Sequence, residues 1–464
     1  MCCFLKSWVE MFAELCSYVK ELLRKRKPNV CDVFTPTMAA TINYVSREGL
    51  ESQIIKSIKT PGKQIVLYGY SGSGKTTIIQ KILKQLNIRY IISHCDRNTT
   101  LESLFQSAYD NLNEYYVKTK TSTESNTLTS SLKADVAFGS SSLNASKSQS
   151  SCTAQERVVS PQFSPQNLAK IFGSRNLVWV IEDFHKVPDI EKIKIADTMK
   201  VFVDYCSNYR NLKIVCIGAC ETARLIVQHD SNMMHRVDQI AVKMLEEREV
   251  RSLILNGCKL LNISMEQELV DSIIEYSSRV GSLAHQMCLD ICYANQIEMK
   301  QKNTVLIKKE SFSHAVDGFL RSNSDTFMQI YEDAVKEQLG WYILKTFSVS
   351  CDKSISFDYI KQRVNGKNRN FSDDVIKQKL DSFITSEPSI LYYNSNSGRY
   401  AISTPLWATF LKIQFDLLES KRKNKRRKFI QRIDQTDEDA EFKKLMMDLL
   451  KEFEKIRSQN STIE

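Results

Sequence analysis

The feature that most limits how this chain can fold is a glycine-rich octapeptide directly after a short apolar run. The apolar run, QIVLY, covers residues 64–68. The octapeptide consists of Gly69, Tyr70, Ser71, Gly72, Ser73, Gly74, Lys75 and Thr76. Its spacing matches G-x-x-x-x-G-K-[ST], the pattern of a buried strand that ends in a tight turn before a helix. We therefore expect a strand, a phosphate-binding loop and a helix here, rather than a chance glycine-rich turn.

Each residue type in this loop suits the binding of a nucleoside triphosphate. Glycines let successive backbone N–H groups curl around a phosphate without Cβ clashes, and the following helix adds its positive N-terminal end. Lys75 would reach the β- and γ-phosphates, and Thr76 would offer a hydroxyl to Mg²⁺. The sequence thus predicts a nucleoside triphosphate such as ATP, with Mg²⁺, as the ligand of residues 69–76, together with Thr77 at the start of the helix.

A second apolar run ends in two carboxylates. Residues 177–181, LVWVI, come directly before Glu182 and Asp183, which predicts a strand buried on both faces beside the strand of the phosphate loop. Magnesium needs one carboxylate, and the attacking water needs another to orient or deprotonate it. By position we assign the metal to Glu182 and the water to Asp183, although the two roles can be exchanged. A surface turn after an ordinary strand is the alternative.

Composition limits the class of protein. At 464 residues the chain is too long for one compact core. The net charge is +10, and the basic clusters at 24–27 and 421–428 suit nucleic acid, acidic lipid, an acidic partner or simply solvent. The 13 cysteines include no Cys-x-x-Cys pair, which predicts free thiols in a reducing cytoplasm. No apolar stretch reaches the ~18 residues of a transmembrane segment, so we expect a cytoplasmic protein.

The chain changes character along its length, and we expect five segments. They are an amphipathic N-terminal helix over 1–33, a P-loop core over 34–245, a helical lid over 246–324, a winged helix over 325–416 and a charged helical tail over 417–464. Within the core, residues from about 118 to 165 are rich in Ser and Thr with few large apolar side chains. Such a composition cannot pack a core, and it predicts a mobile insertion.

The segment before the tail predicts three helices and a β-hairpin. The hairpin is indicated by apolar residues on both sides of the turn at 394–398, NSNSG. Three helices and a hairpin make a winged helix, which can place its third helix in a DNA groove. The third predicted helix is charge-mixed, DDVIKQKLD over 373–381, with no arginine or asparagine cluster for base edges. Protein docking is therefore favoured slightly over DNA reading.

The order of these motifs resembles that of the AAA+ ATPases. Within that class it looks closest to the branch shared by archaeal origin-recognition initiators and the STAND signal-transduction ATPases. Residues 180–187, VIEDFHKV, are also similar to stretches of uncharacterised prokaryotic AAA-type ATPases. The resemblance covers about residues 34–415 and departs from the pattern at 281–284, GSLA, which has neither the lid arginine of the initiators nor the proline of STAND proteins.

The resemblance implies roles for several further residues. Arg47 and Glu48 precede the helix ahead of the loop, where such a pair flanks the adenine pocket in ATPases. Glu221 or Thr222, just past a predicted strand over 212–219, would sense the γ-phosphate. Arg236 stands directly before a short strand, where an arginine finger would meet the γ-phosphate of a neighbouring subunit. A surface salt bridge is the alternative for Arg236.

The expected fold is therefore α/β: a P-loop NTPase parallel sheet sandwiched by helices, followed by a helical lid and a winged-helix domain. The resemblance implies a Mg²⁺-dependent ATP-binding and hydrolysing switch that couples its nucleotide state to partner binding or assembly. A DNA-binding initiator or loader that uses the winged helix is the alternative. The acids at 182 and 183 argue against a site that binds nucleotide without hydrolysing it. The compatible partners are an unidentified protein, further copies of the chain and DNA.

Overall fold

The computed structural model describes residues 27–112, 164–219, 233–349, 354–366, 369–395 and 397–435. By their packing these residues form two compact units. The sheet unit contains the described residues of 48–69 and 78–241, and the helical unit contains those up to 47, those of 70–77 and those from 242 onward. No helix within these ranges is long and apolar enough to cross a membrane.

The sheet unit is built on parallel strands. Those in the described residues are β1 Gln64–Tyr68, β2 Arg89–His94, β3 Leu177–Glu182, β4 Lys213–Gly218 and β5 Val237–Ala241. Their order across the sheet is β2-β3-β4-β1-β5, and every neighbouring pair is parallel. Because parallel strands end at the same edge, the residues that follow β1 and those that end β3 lie along one side of the sheet.

The acid-ended strand does not lie beside the strand of the phosphate loop, so that prediction was wrong. Strand β4 lies between β1 and β3, with Val215 opposite Ile65 of β1 and opposite Val180 of β3. Strand β4 is buried along its whole length, as is β1 up to its last residue. Apolar runs of this kind report burial on both faces but carry no information about which strand is the neighbour.

The described α-helices of this unit lie before or between its strands along the chain. They are α1 Glu48–Lys59, α2 Lys75–Gln85, α3 Leu101–Asn111, α4 Pro165–Ser174 and α5 Asp189–Asp204. Helix α1 contacts β1, α3 contacts β2, α4 contacts β3 and α5 contacts β4. Local chemistry sets the helix starts: Thr100 caps α3 by accepting a hydrogen bond from the N–H of Ser103 at 3.1 Å, and Ser164 caps α4.

Trp179 lies in the core of the sheet unit. Trp179 of β3 is fully buried, and its Nε1–H donates to the Oγ of Ser93 in β2 at 3.0 Å. Three phenylalanine rings surround it at centroid distances of 5.7 to 6.5 Å; they belong to Phe105, Phe172 and Phe202. Because these rings come from α3, α4 and α5, the indole joins β3 to three helices at once.

The helical unit has its own core, to which a short helical turn, Val30–Val33, also contributes. Its described helices are α6 Glu247–Leu261, α7 Gln267–Tyr276, α8 Gly281–Ala294, α9 Phe312–Val335, α10 Gln338–Val349, α11 Phe357–Asn365, α12 Asp373–Thr385 and α13 Pro405–Gln435. Its described strands are β6 Ile263–Met265, β7 Val305–Ile307, β8 Ile355–Ser356, β9 Leu391–Asn394 and β10 Arg399–Ile402. Apolar residues from both the predicted lid and the predicted winged helix belong to this one core.

The three helices and the hairpin that the sequence predicted after residue 325 are confirmed as α10, α11, α12 and β9–β10. The structure adds the short strand β8, which pairs with β10 and completes a described sheet of order β8-β10-β9. The assignment of these elements to a winged helix stays a prediction. The long helix α13 follows β10 and continues through the boundary predicted at 416.

Several predictions concern residues outside the described ranges. They are the N-terminal helix up to residue 26, most of the insertion at 118–165, the candidate sensors Glu221 and Thr222, and the tail beyond 435. The boundaries of the five predicted segments stay a prediction.

Candidate functional site

The phosphate loop follows β1 and has the backbone that its glycines predict. Gly72 has a φ of 77° and Gly74 a φ of 86°, both in the left-handed region that residues with a Cβ enter only with strain. The N–H of Ser73 donates to the carbonyl of Tyr70 at 3.3 Å, which closes the turn. Left-handed turns of this kind can form the concave backbone sites that bind anions.

Helix α2 begins at Lys75 and carries Thr76 and Thr77 in its first turn. The first N–H groups of a helix have no partner within the helix, and they add to the positive end of its dipole. A parallel strand, a left-handed glycine loop and a helix thus follow one another without interruption. The chain has the fold of a P-loop NTPase. The predicted fold class is confirmed.

Two side chains of the P-loop suit an anionic ligand. The Nζ of Lys75 donates to the carbonyl of Tyr70 at 2.7 Å, so the ammonium lies over the loop. Ser73 is 3% exposed, and its Oγ has no hydrogen-bond partner among the described residues. A buried hydroxyl without a partner is costly unless a ligand or water supplies one. These residues therefore fit a phosphate group.

Arg47 holds the P-loop against the start of α6 rather than leaving its guanidinium open to solvent. Its Nη1 donates to the carbonyl of Ser73 at 3.4 Å, and its Nη2 to the carbonyl of Lys243 at 2.9 Å. Its Nε lies 3.7 Å from a carboxylate oxygen of Glu249, and the side chain is 13% exposed. The sequence placed Arg47 only near a base pocket. The structure shows it in contact with the loop itself.

The carboxyl end of β3 presents Glu182. One of its carboxylate oxygens, Oε2, lies 3.3 Å from the Nδ1 of His94, which is the last residue of β2. The other, Oε1, is buried and has no partner in the part of the chain that the structure describes, while the side chain as a whole is 15% exposed. An acceptor in this condition suits a cation or a water molecule. A carboxylate oxygen is of the donor type that Mg²⁺ prefers.

Asp183 follows immediately and is more open. Its φ of 57° turns the chain into a short 3-10 turn, Phe184–Lys186. Its carboxylate accepts a hydrogen bond from the Nζ of Lys186 at 2.7 Å, and both side chains are about half exposed. It also lies near the buried thiol of Cys95, whose pKa burial raises to about 12 with a smaller contribution from Asp183. The two adjacent acids therefore have different surroundings, which the sequence did not reveal.

Arg236 precedes β5, as predicted, and it lies at the end of the sheet where β1 begins. Its carbonyl accepts a hydrogen bond from the N–H of Gln64, the first residue of β1, at 2.8 Å. Its guanidinium lies 3.9 Å from Asp204, and both side chains are exposed. Arg236 therefore stands where β1 begins, whereas Gly69 follows the end of β1. A role toward a neighbouring subunit stays a prediction.

Sequence reasoning missed the residues that pack on Gly72. A Cβ at Gly72 would lie 2.4 Å from the Oγ of Ser282 and 2.7 Å from the Cγ1 of Val280. These two residues flank Gly281 at the start of α8, and a Cβ at Gly281 would in turn approach the carbonyl of Gly72 at 3.7 Å. Gly281 was the available signal, because a glycine at a helix start permits such a close approach.

No protein-family model and no curated protein sequence matches the chain. Solved structures do resemble it. A Walker-type ATPase of Pyrococcus abyssi is 12% identical, with 80% of this chain and 96% of that protein covered and a TM-score of 0.45. The ORC2 protein of Aeropyrum pernix, solved as ADPNP–ADP complexes, is 10% identical, with 82% and 98% covered and a TM-score of 0.46.

The ORC1 protein of Aeropyrum pernix, solved in complex with DNA, is 10% identical, with 84% of this chain and 97% of that protein covered and a TM-score of 0.40. By name these are Walker-type and origin-recognition proteins, which is the class that the order of motifs was predicted to resemble. At these TM-scores the likenesses carry no argument of their own, and the fold and the surroundings of single residues rest on the contacts described above.

Proposed function

We propose that this protein is an ATPase that works as a nucleotide-dependent switch. The observation that carries the proposal is the P-loop itself, with Gly72 and Gly74 in left-handed conformations and Lys75 folded over the turn. The unpartnered Ser73 hydroxyl adds to it, because it lacks an acceptor among the described residues that a phosphate oxygen would supply. The choice of ATP over other nucleoside triphosphates rests on the resemblance to AAA+ ATPases.

The P-loop residues would hold the triphosphate through backbone N–H groups and the Lys75 ammonium. Mg²⁺, held by Thr76 and Glu182, would supply positive charge to the phosphate oxygens. Asp183 would orient the attacking water and accept its proton, and exchange of roles between Glu182 and Asp183 remains compatible with the contacts. The Oε1 of Glu182 has no partner among the described residues, which supports its assignment to the metal, since Asp183 already has Lys186 as a partner.

We prefer the switch to a DNA-binding initiator or loader because of the charged residues on α12. Lys379 of this helix pairs with Glu337 at 2.7 Å, and Asp373 pairs with Lys361 at 2.7 Å. A helix that binds a DNA groove presents cations and amides to phosphates and base edges. On α12 a lysine is instead engaged within the protein, and two aspartates stand in the first turn. Protein docking is the use that this surface supports better.

A DNA-binding initiator or loader is the second candidate. It is supported by the order of elements from α10 to β10 and by the exposed tyrosines Tyr392 and Tyr393 on β9, beside the hairpin turn. Aromatic rings and a basic segment such as 421–428 suit phosphate and base contacts. This candidate predicts DNA affinity that falls steeply with salt.

ATP turnover measured with and without double-stranded DNA, at low and near-physiological salt, separates the two candidates. The switch predicts slow turnover that DNA does not change. Stimulation by DNA that disappears with salt would favour the initiator. Lys75→Ala is the control, since loss of the P-loop ammonium should abolish nucleotide binding and turnover. Turnover that survives in Lys75→Ala would contradict both candidates.

A further inference from the structure

The turn between α7 and α8 has an unusual backbone. Ser278 has a φ of 48° and Arg279 a φ of 60°, so two consecutive residues with side chains adopt the left-handed conformation. Such residues are uncommon one at a time, and they persist where surrounding contacts hold them. The carbonyl of Arg279 accepts a hydrogen bond from the N–H of Leu245 at 3.0 Å, and the N–H of Val280 donates to the carbonyl of Ser277 at 2.9 Å.

Helix α13 holds this turn through a buried hydroxyl. Thr409 is 0% exposed, and its Oγ1–H donates to the carbonyl of Tyr276 at 2.8 Å. The Oγ of Ser278 lies 2.8 Å from the same Thr409 oxygen. A hydroxyl has one proton, and a carbonyl can only accept, so the Ser278 hydroxyl must donate to Thr409. One side chain of α13 therefore bridges the end of α7 to the first left-handed residue.

Two more residues on the same face of α13 form hydrogen bonds with the end of α7. Asp416 accepts a hydrogen bond from the phenol of Tyr276, and the Nζ of Lys412 donates to Glu275. Residues three and seven positions beyond Thr409 lie on its face of the helix. The end of α7 thus contacts two successive turns of helix α13. Of these contacts, that of Thr409 reaches furthest into the segment between α7 and α8.

The other end of the turn rests on the P-loop. Val280 and Ser282 lie so close to Gly72 that a single added carbon there would meet both side chains below 3 Å. All of these contacts belong to the helical unit, which includes residues 70–77. A continuous set of contacts therefore runs from Thr409 through Ser278 to the loop that binds phosphate.

We propose that Thr409 is a positioning residue for the P-loop, which acts through Ser278 and the turn to residues 280–282. The inference rests on the proposed function, because it assigns a consequence for nucleotide affinity to a residue far along the chain. Loss of the Thr409 hydroxyl releases the left-handed turn and lets Val280 and Ser282 move against Gly72. Nucleotide affinity falls as a result, while the chemistry at Glu182 and Asp183 is not touched.

The test uses Thr409→Val, which keeps the shape of the side chain and removes the hydroxyl. We expect the Kd for a fluorescent ADP analogue with Mg²⁺ to rise about fivefold, which corresponds to about 1 kcal/mol, the size of one hydrogen bond. KM for ATP should rise by a similar factor with kcat nearly unchanged. Thr409→Ser keeps the hydroxyl, so both constants should stay near their wild-type values.

The control is Thr346→Val in α10. Thr346 is also almost buried, and its hydroxyl donates to the carbonyl of Tyr342 one turn earlier, at 2.9 Å. Its loss changes a buried threonine in the same unit without affecting the turn. The melting temperature without nucleotide is measured for every variant. If Thr346→Val weakens nucleotide binding as much as Thr409→Val does, the effect is one of stability and the proposal fails.

A second variant protects the test against a general loss of folding. Ser278→Gly removes the hydroxyl but suits the left-handed backbone. We expect an unchanged or higher melting temperature together with weaker nucleotide binding. Unchanged affinity in both Thr409→Val and Ser278→Gly, with wild-type protein binding nucleotide, would overturn this inference alone. Absence of nucleotide binding by the wild-type protein would instead overturn the proposed function.

Discussion

At the scale of single residues, the left-handed glycines Gly72 and Gly74 differ in what surrounds them. Alanine at either position meets a backbone strain of about 1–2 kcal/mol, because both φ values are positive. A Cβ at Gly72 would also clash with Ser282 and Val280, whereas one at Gly74 has no described atom within 4 Å. Overpacking of this kind adds about 1–3 kcal/mol. Gly72→Ala should therefore destabilise the protein clearly more than Gly74→Ala.

Urea unfolding of the two variants, without nucleotide, measures this difference as a shift of the midpoint. Gly74→Ala serves as the matched control, since it carries the same strain without the clash. Equal shifts would mean that the turn after α7 does not rest on Gly72 in solution, and the basis of the Thr409 proposal would be lost with it.

His285 of α8 makes the stability depend on pH. It is 5% exposed, its Nδ1 accepts a hydrogen bond from the N–H of Thr35 at 3.2 Å, and burial lowers its pKa from 6.5 to about 4. Between pH 6.5 and 4 the unfolded chain binds this proton and the native chain does not. The free energy of unfolding therefore falls as pH falls through this window, by about 3 kcal/mol in total.

The measurement is the free energy of unfolding at intervals from pH 7 to pH 4, compared with His285→Asn. Asparagine offers an oxygen acceptor to the Thr35 N–H but does not titrate in this range. We expect the difference between the two proteins to shrink as the pH falls. A difference that stays constant would show that His285 is not buried in its neutral form.

At the scale of elements, a buried side-chain hydrogen bond joins β2 to β3. Ser93→Ala removes the acceptor of the Trp179 indole N–H, which is fully buried. An unsatisfied buried donor costs about 1–3 kcal/mol, so this variant should lower the unfolding midpoint by a matching amount. Ser107→Ala is the control, because Ser107 contacts Ser93 only at 3.3 Å and does not reach the indole. Similar losses in both variants would contradict the assignment of the bond energy to Trp179.

At the scale of the whole molecule, nucleotide binding is linked to folding. A ligand that binds only the native state adds about 2.7 kcal/mol of stability at a hundredfold excess over its Kd. We expect Mg·ATP to raise the melting temperature of the wild-type protein and of Arg236→Ala, but not of Lys75→Ala. The reason is that Lys75 lies over the P-loop, whereas Arg236 lies where β1 and β5 begin.

Turnover completes this comparison. Arg236→Ala should bind nucleotide and hydrolyse it more slowly if its guanidinium serves a neighbouring subunit. A melting temperature that no longer responds to Mg·ATP in Arg236→Ala would contradict the separation of binding from turnover. Unchanged turnover in that variant would indicate that Arg236 serves in the exposed ion pair with Asp204 and not in hydrolysis.

The sequence by itself determined the parts of this protein that depend on neighbours along the chain. The P-loop follows from glycine spacing after an apolar run, because left-handed turns and helix starts are set by local backbone chemistry. The acid-ended strand, the hairpin at β9–β10 and the helices α10 to α12 follow from periodicity and turn residues in the same way. These elements were predicted at nearly their observed positions.

Only the tertiary structure decided which elements meet. It placed β4 between β1 and β3 and put Arg236 at the end of the sheet where β1 begins. It gave Glu182 a buried oxygen without a partner among the described residues, while pairing Asp183 with Lys186. It also brought Thr409 to a turn that lies 131 residues earlier. Contacts between distant segments depend on packing of the whole core, and the same apolar or polar pattern is compatible with many neighbours.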